Sequence, residues 1–142
     1  MAITVVQRKP SVEEFQAIVA SVGFRAHDNS AVEIALRNTV FSVCAMEKEY
    51  IVGLGRVVGD GAISFLLTNI MVRPSHQRRG VGSLIVKALC SYVEALPYKN
   101  IVLEVIPLPG SVSFYERFGF KGSRNAPPGM VRWFNDERAA HS

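Results

Sequence analysis

The sequence predicts an α/β (α+β) fold: a central mixed, largely antiparallel sheet of about six to seven strands flanked by about four helices. Three observations carry it. Short β-rich runs bounded by turn residues fill 41–72. Phe15, Ile18, Val19 and Val22, and again Val81, Leu84, Ile85, Ala88, Leu89, Tyr92, Val93 and Leu96, recur at helical spacing. Between the last of those runs and the second helix lies a glycine-bearing turn, Gln77-Arg78-Arg79-Gly80-Val81-Gly82-Ser83.

The elements follow in order. Ile3 to Val6 reads as a strand. Pro10-Ser11 opens a helix with a capping box from Ser11 to Glu14, and Gly23 ends it. A polar stretch, Arg25 to Ser30, leads to a weaker helix over Ala31–Asn38. Strands are expected over Phe41–Met46 and Tyr50–Val58, with Glu47-Lys48-Glu49 as their turn. Gly59-Asp60-Gly61 is a hairpin signal leading into a strand that runs to Val72 and is closed by Arg73-Pro74. Pro97 breaks the chain after the long helix. A strand over Asn100–Ile106, the stiff Pro107-Leu108-Pro109-Gly110 connection and a short helix over Ser111–Phe118 come next. Phe120 begins a strand, Gly122 to Gly129 is a loop, and Met130–Phe134 is a last strand. The tail, 135–142, is charged and expected to fray. The order is β-α-α-β-β-β-α-β-α-β-β, read as a single domain over 1–142.

A chain of 142 residues can bury one core. No apolar run approaches the ~18 residues of a membrane span, and the start shows no signal-peptide pattern, so a cytoplasmic, membrane-free protein is expected. Cys44 and Cys90 form no Cys-x-x-Cys pair, and the three histidines lack metal-ligand spacing, so no metal site is expected. The formal net charge is +4, with Arg73, Arg78 and Arg79 clustered around the glycine turn. A solvated basic face would account for that cluster, but its place favours a small polyanion. No recognition helix or arginine-rich tail points to nucleic acid.

Strand, glycine turn, helix is an arrangement that binds phosphate. Orphan N–H groups and the helix dipole converge at the helix start, and Gly80 and Gly82 remove side chains that would keep a phosphate away. A nucleotide P-loop would need Lys before Ser83. A dinucleotide fingerprint would need a small residue where Ile85 stands, and a preceding βαβ unit where the chain has hairpins. What fits is Gln/Arg-x-x-Gly-x-Gly/Ala. With this motif, the preceding hairpins and Phe114-Tyr115-Glu116-Arg117-Phe118-Gly119-Phe120, the chain resembles the GCN5-related N-acetyltransferases over nearly its whole length.

The resemblance implies acetyl-coenzyme A as cosubstrate, and a sheet splayed between its two central strands to admit the pantetheine arm. Backbone N–H groups of Arg78, Arg79, Gly80, Val81, Gly82 and Ser83 would bind the pyrophosphate, and Gln77 would orient the loop. Met71 and Val72 would pair with the pantetheine amides and supply the oxyanion donor. Tyr115 would be the general acid for the departing thiolate, since a phenol stays protonated at neutral pH; an aromatic packing role is the plain alternative. Nothing in Phe65-Leu66-Leu67-Thr68-Asn69 titrates near neutrality, which leaves Glu104 as tentative base. Glu104 could equally face solvent or pair with an arginine, and water-mediated deprotonation stays open. Leu108 stands where many relatives carry an Asn that contacts pantetheine.

The expected reaction is acetyl transfer to a primary amine of a small molecule, by direct attack in a ternary complex. Arg25 and Arg124, on the two loops that the resemblance places around the acceptor, would bind an anionic group on it, though two exposed loop arginines explain them as well. A protein or peptide N-acetyltransferase and a non-catalytic acyl-coenzyme binder are the rivals. The sequence is compatible with a homodimer.

Overall fold

The computed structural model describes residues 2–122 together with Met130, Arg132 and Phe134. Five strands and four helices follow the expected order: β1 (Thr4–Gln7), α1 (Val12–Ser21), α2 (Asn29–Arg37), β2 (Phe41–Glu47), β3 (Tyr50–Gly59), β4 (Ser64–Val72), α3 (Val81–Glu94), β5 (Val102–Val105) and α4 (Val112–Glu116). A 3₁₀ turn, Pro74–His76, links β4 to α3. Phe120 to Gly122 join no strand, so among the described residues the sheet has five strands where six to seven were expected. Arg124, the Gly122–Gly129 loop beyond Gly122, most of the expected Met130–Phe134 strand and the 135–142 tail lie outside the described residues.

The strands lie in sequence order, β1 to β5, antiparallel except for the parallel β4–β5 pair. That last relation follows from connectivity, because β4 and β5 are joined through a helix rather than a tight turn. Local chemistry sets the other ends. Ser11 accepts from the Glu14 N–H at 3.1 Å while Glu14 accepts from the Ser11 N–H at 2.9 Å, and this reciprocal cap starts α1. At the β3–β4 turn the Asp60 carboxylate accepts the N–H groups of Ala62, Ile63 and Ser64.

Each face of the sheet carries its own core. On one, Val81, Ile85, Val86, Leu89 and Val93 of α3 pack on Val43, Ala45, Val57, Phe65 and Leu67. On the other, Phe15, Ile18 and Val19 of α1, with Val32 and Leu36 of α2, cover Cys44, Ile51, Leu54 and Met71. Full burial of each large aliphatic side chain contributes ~1.5–3 kcal/mol, so both layers are anchored. Helix α3 comes unusually close to the sheet because β3 carries Gly55 there. A Cβ on Gly55 would lie 2.6 Å from Ile85 Cγ2 and 2.8 Å from Ile70 Cδ1.

Strand β4 contains a bulge. Leu54 pairs with Met71 and Arg56 with Thr68, so Gly55 alone stands opposite both Asn69 and Ile70. Asn69 sits in the left-handed region with φ 53°, a conformation Asn tolerates better than most residues. Side chains alternate along a strand, so one extra residue flips the pattern. Phe65 and Leu67 therefore face α3, whereas Met71 faces α1 and α2.

Candidate active site

Strand β4 outruns its parallel neighbour. Ser64 to Leu67 pair with Val102 to Val105, and there the β5 partner ends. Pro107 and Pro109 follow in place of further ladder donors. Thr68 to Val72 consequently keep β3 on one side and present an open edge on the other. Ladder groups alternate in direction, which identifies the exposed ones. The Arg73 N–H donates to Val52 O at 2.8 Å, toward β3. Met71 O also lies toward β3, 2.9 Å from where a Gly53 Cβ would stand. The Val72 N–H and C=O therefore point to the open edge. Gln77 Nε2 donates to that Val72 carbonyl at 2.9 Å, tying the glycine turn to the strand end.

The start of α3 lies just beyond. Gly80 is the N-cap residue, left-handed at φ 79°, and no side chain caps the helix. A β-carbon there would be strained by that φ although nothing lies within 4 Å of it. Arg78 is also left-handed, at φ 62°. The first intrahelical bond runs from the Leu84 N–H to Gly80 O, so Val81, Gly82 and Ser83 present N–H groups with no helical acceptor. Arg78 and Arg79 are exposed beside them. Unused donors, a helix dipole, two nearby guanidiniums and missing β-carbons together fit a diphosphate.

Helix α4 leans on the same place. A Cβ on Gly82 would be 3.5 Å from Phe114 Cζ, an ordinary van der Waals contact. Tyr115 follows, half-buried, edge-to-face with Phe114 at 5.0 Å and with Phe120 at 5.9 Å. Burial pushes its phenol above the ordinary value, holding the proton on the oxygen. The ring thus belongs to the aromatic cluster, yet the hydroxyl makes no hydrogen bond and is not sealed from solvent among the described residues.

Glu104 lies elsewhere. It pairs in register with Leu66, in the doubly bonded half of β4, five positions before Met71. At ~3.3 Å per residue that is roughly 16 Å of strand. Its side chain is exposed and lines a shallow depression of about 240 Å³ with Val58, Gly59, Ser64, Phe65 and Leu66. It sits in the apolar run Ile101–Ile106, yet Val102 and Ile106 are themselves 45% and 65% exposed. The structure does not bring Glu104 together with Val72 or Tyr115. Arg25 lies on the exposed loop between α1 and α2, Leu108 is exposed in the loop after β5, and Arg124 is outside the described residues.

Two residues near the open edge escaped the sequence reading. Arg56 Nε donates to Asn69 Oδ1 at 2.8 Å, and Arg56 Nη1 reaches Thr39 Oγ1 at 2.8 Å and Ala35 O at 3.1 Å. The available signal was a lone arginine within the apolar run Ile51–Val58. Among the described residues no group of three or more His, Cys, Asp or Glu could hold a metal ion, and no helix is long and apolar enough to cross a membrane.

Residues 9–133 match the family model described as an acetyltransferase (GNAT) domain. The chain belongs to the GNAT acetyltransferase family. Such enzymes use acetyl-CoA. Among solved structures, a probable acetyltransferase from methicillin-resistant Staphylococcus aureus is 27% identical, with TM-score 0.85 over 94% of this chain and 100% of that one. A GNAT family protein from Streptococcus pneumoniae is 26% identical, with TM-score 0.78 over 95% of this chain and 100% of the other. The chloroplastic GCN5-related N-acetyltransferase 1 of Arabidopsis thaliana is 27% identical over 123 residues. That match takes in 85% of this chain but 61% of the plant protein, and the chain spans 66% and 57% of two other curated relatives.

Proposed function

We propose that this GNAT chain transfers the acetyl group of acetyl-CoA to the primary amine of a small molecule, by direct attack within a ternary complex. The observation that carries the reading is the adjacency of an open β4 edge to the uncapped start of α3, fastened together by Gln77 and Val72. The N–H groups of Gly80 to Ser83 hold the pyrophosphate, with Arg78 and Arg79 adding charge. Val72 offers its N–H to the thioester arm along the open edge, while its carbonyl is held by Gln77. Its N–H is the better placed oxyanion donor, because Met71 is turned toward β3. A donor aimed where negative charge develops accelerates acyl transfer more than any other single feature.

Tyr115 supplies the proton for the departing thiolate, and its burial-raised phenol is suited to hold that proton through neutral pH. Water takes the proton from the acceptor's ammonium to free the amine that attacks, because Glu104 sits too far along the strand for direct transfer. Arg25 and Arg124 serve an anionic group on the acceptor. The exposed Leu108 side chain cannot reproduce an amide contact to pantetheine, so the backbone of β4 takes a larger share of that arm.

The test is release of free thiol from acetyl-CoA in the presence of a panel of amines. Small amines bearing a carboxylate or phosphate are expected to be the best acceptors. Preference for lysine peptides would transfer the reading to protein acetylation, and tight acetyl-CoA binding with no thiol release would make the chain a binder.

A further inference from the structure

We infer that Arg56 is a positioning residue for acetyl transfer: it pins the Asn69 bulge of β4 to the end of α2 and thereby fixes which backbone groups face the acyl cleft. The inference rests on the proposed reaction. Its structural half stands apart from it.

Beyond the bulge, Val72 points to the open edge and Met71 toward β3. Without the extra residue the alternation would be reversed, and Val72 would spend its N–H on β3. The bulge therefore decides the identity of the donor in the cleft. Asn69 holds φ 53° there, a left-handed conformation that costs most residues with a side chain ~1–2 kcal/mol and that Asn adopts more readily when its side chain is hydrogen-bonded. Something must hold it there.

Arg56 is the residue in place to do so. It pairs with Thr68, immediately before the bulge. Its Nε–H donates to Asn69 Oδ1, and its Nη1 donates to Thr39 Oγ1 and to Ala35 O. Ala35 belongs to the last turn of α2, where carbonyls lack helical donors and the dipole is negative. Thr39 is buried and donates its own hydroxyl to the same Ala35 carbonyl. The guanidinium is thus a half-buried cation with no carboxylate within ion-pair distance among the described residues. Its planar fork joins the helix terminus to the bulge, a geometry that an ammonium cannot copy.

The experiment compares wild type with Arg56→Gln, Arg56→Lys, Asn69→Gly and the Arg56→Gln/Asn69→Gly double variant. Two readouts are taken: steady-state kinetics with the best acceptor, and amide hydrogen exchange along β4. Arg56→Gln should lower kcat ~10-fold while leaving KM for acetyl-CoA within ~2-fold, the split expected when only transition-state contacts are lost. Arg56→Lys should recover little of it. The double variant should be no slower than Arg56→Gln, because both substitutions cut one link. Exchange of the Arg73 amide, which is bonded to β3 just past the bulge, should quicken at least ~10-fold in Arg56→Gln, with β2 amides unchanged. Unchanged Arg73 exchange overturns the inference whatever the kinetics, and faster exchange with wild-type kcat reduces Arg56 to a purely structural role. If wild type acetylates no amine, the reaction itself is refuted, and the exchange measurement alone decides whether Arg56 holds the bulge.

Discussion

From Ser64 to Leu67, β4 is bonded on both edges, to β3 and in parallel to β5. From Thr68 to Val72 only the β3 edge is bonded. The first half buries Phe65 and Leu67 beneath α3 and behaves as core. The second half contains the bulge, offers Val72 to the open edge, and ends beside the unbonded N–H groups of α3. Backbone groups left without partners beside a helix start can bind a ligand's amides and phosphates. Substitutions in the first half should therefore be felt in stability, and those at or beyond the second half in binding and turnover.

The largest effect expected is on the closed half. Gly59 pairs with Phe65 and holds φ 153°, and a Cβ there would stand 2.0 Å from the Ser64 carbonyl oxygen. Backbone on both sides of that clash prevents easy relief. Gly59→Ala should lose ~2–4 kcal/mol of unfolding free energy, within the range for strained backbone and overpacking. A urea titration measures it. Folded variant should still bind acetyl-CoA as wild type does; loss of binding in folded protein would erase the contrast between the halves.

Next is the end of the open half. Gly82 has room for a side chain, since the nearest atom to a Cβ is Phe114 Cζ at 3.5 Å. An acid in the first turn of α3 favours the helix by ~0.3–1 kcal/mol. Gly82→Asp should therefore keep or slightly raise Tm, yet weaken acetyl-CoA about 100-fold, or ~2.7 kcal/mol, by placing a carboxylate where a diphosphate belongs. Gly80→Val should weaken it as well, with some stability lost to the left-handed φ. Undiminished affinity by calorimetry in either folded variant would contradict the cradle.

The two halves were unequally legible in the sequence. The cradle could be read because its constraints fall on residue type: glycine where φ is positive, apolar residues at helical spacing, a capping residue before a helix. The Ser11–Glu14 box and the Gly59-Asp60-Gly61 hairpin were legible for the same reason. The bulge was not, because it is a matter of pairing register, and Asn69 within a β-rich run carries no unique mark. The end of the β5 ladder at Val105 was hidden too, since Ile106 continues the apolar run although it is 65% exposed. That exposure also explains Glu104. Sequence showed a carboxylate among apolar residues, but among the described residues no helix covers that side of β5.

A third effect, smaller, concerns the proton returned to the thiolate. Tyr115→Phe keeps the ring in its contacts with Phe114 and Phe120 and removes only the hydroxyl. It should lower kcat at least ~10-fold with acetyl-CoA affinity and Tm nearly unchanged. Burial raises the phenol's pKa, so wild-type kcat should lose its acid only above pH ~10, and the variant should lack that alkaline limb. Equal rates across the pH range would leave Tyr115 a packing residue.

The smallest effect is expected at Glu104, and it gives the sharpest test of the comparison. Glu104 is the one carboxylate on the strand next to β4, and the chemistry wants a base. Yet it stands opposite Leu66, in the closed half, exposed and roughly 16 Å of strand from Met71. Direct proton transfer needs heavy atoms within ~3.2 Å, or one bridging water. Neither spans that separation. Glu104→Gln removes the charge and preserves shape, so kcat should change less than ~3-fold and the acid limb of the pH profile should persist. A drop of ~10² or more with loss of that limb, the range for an essential base, would mean that the acceptor amine reaches down to the closed half. The division of β4 into a structural half and a reacting half would then fail.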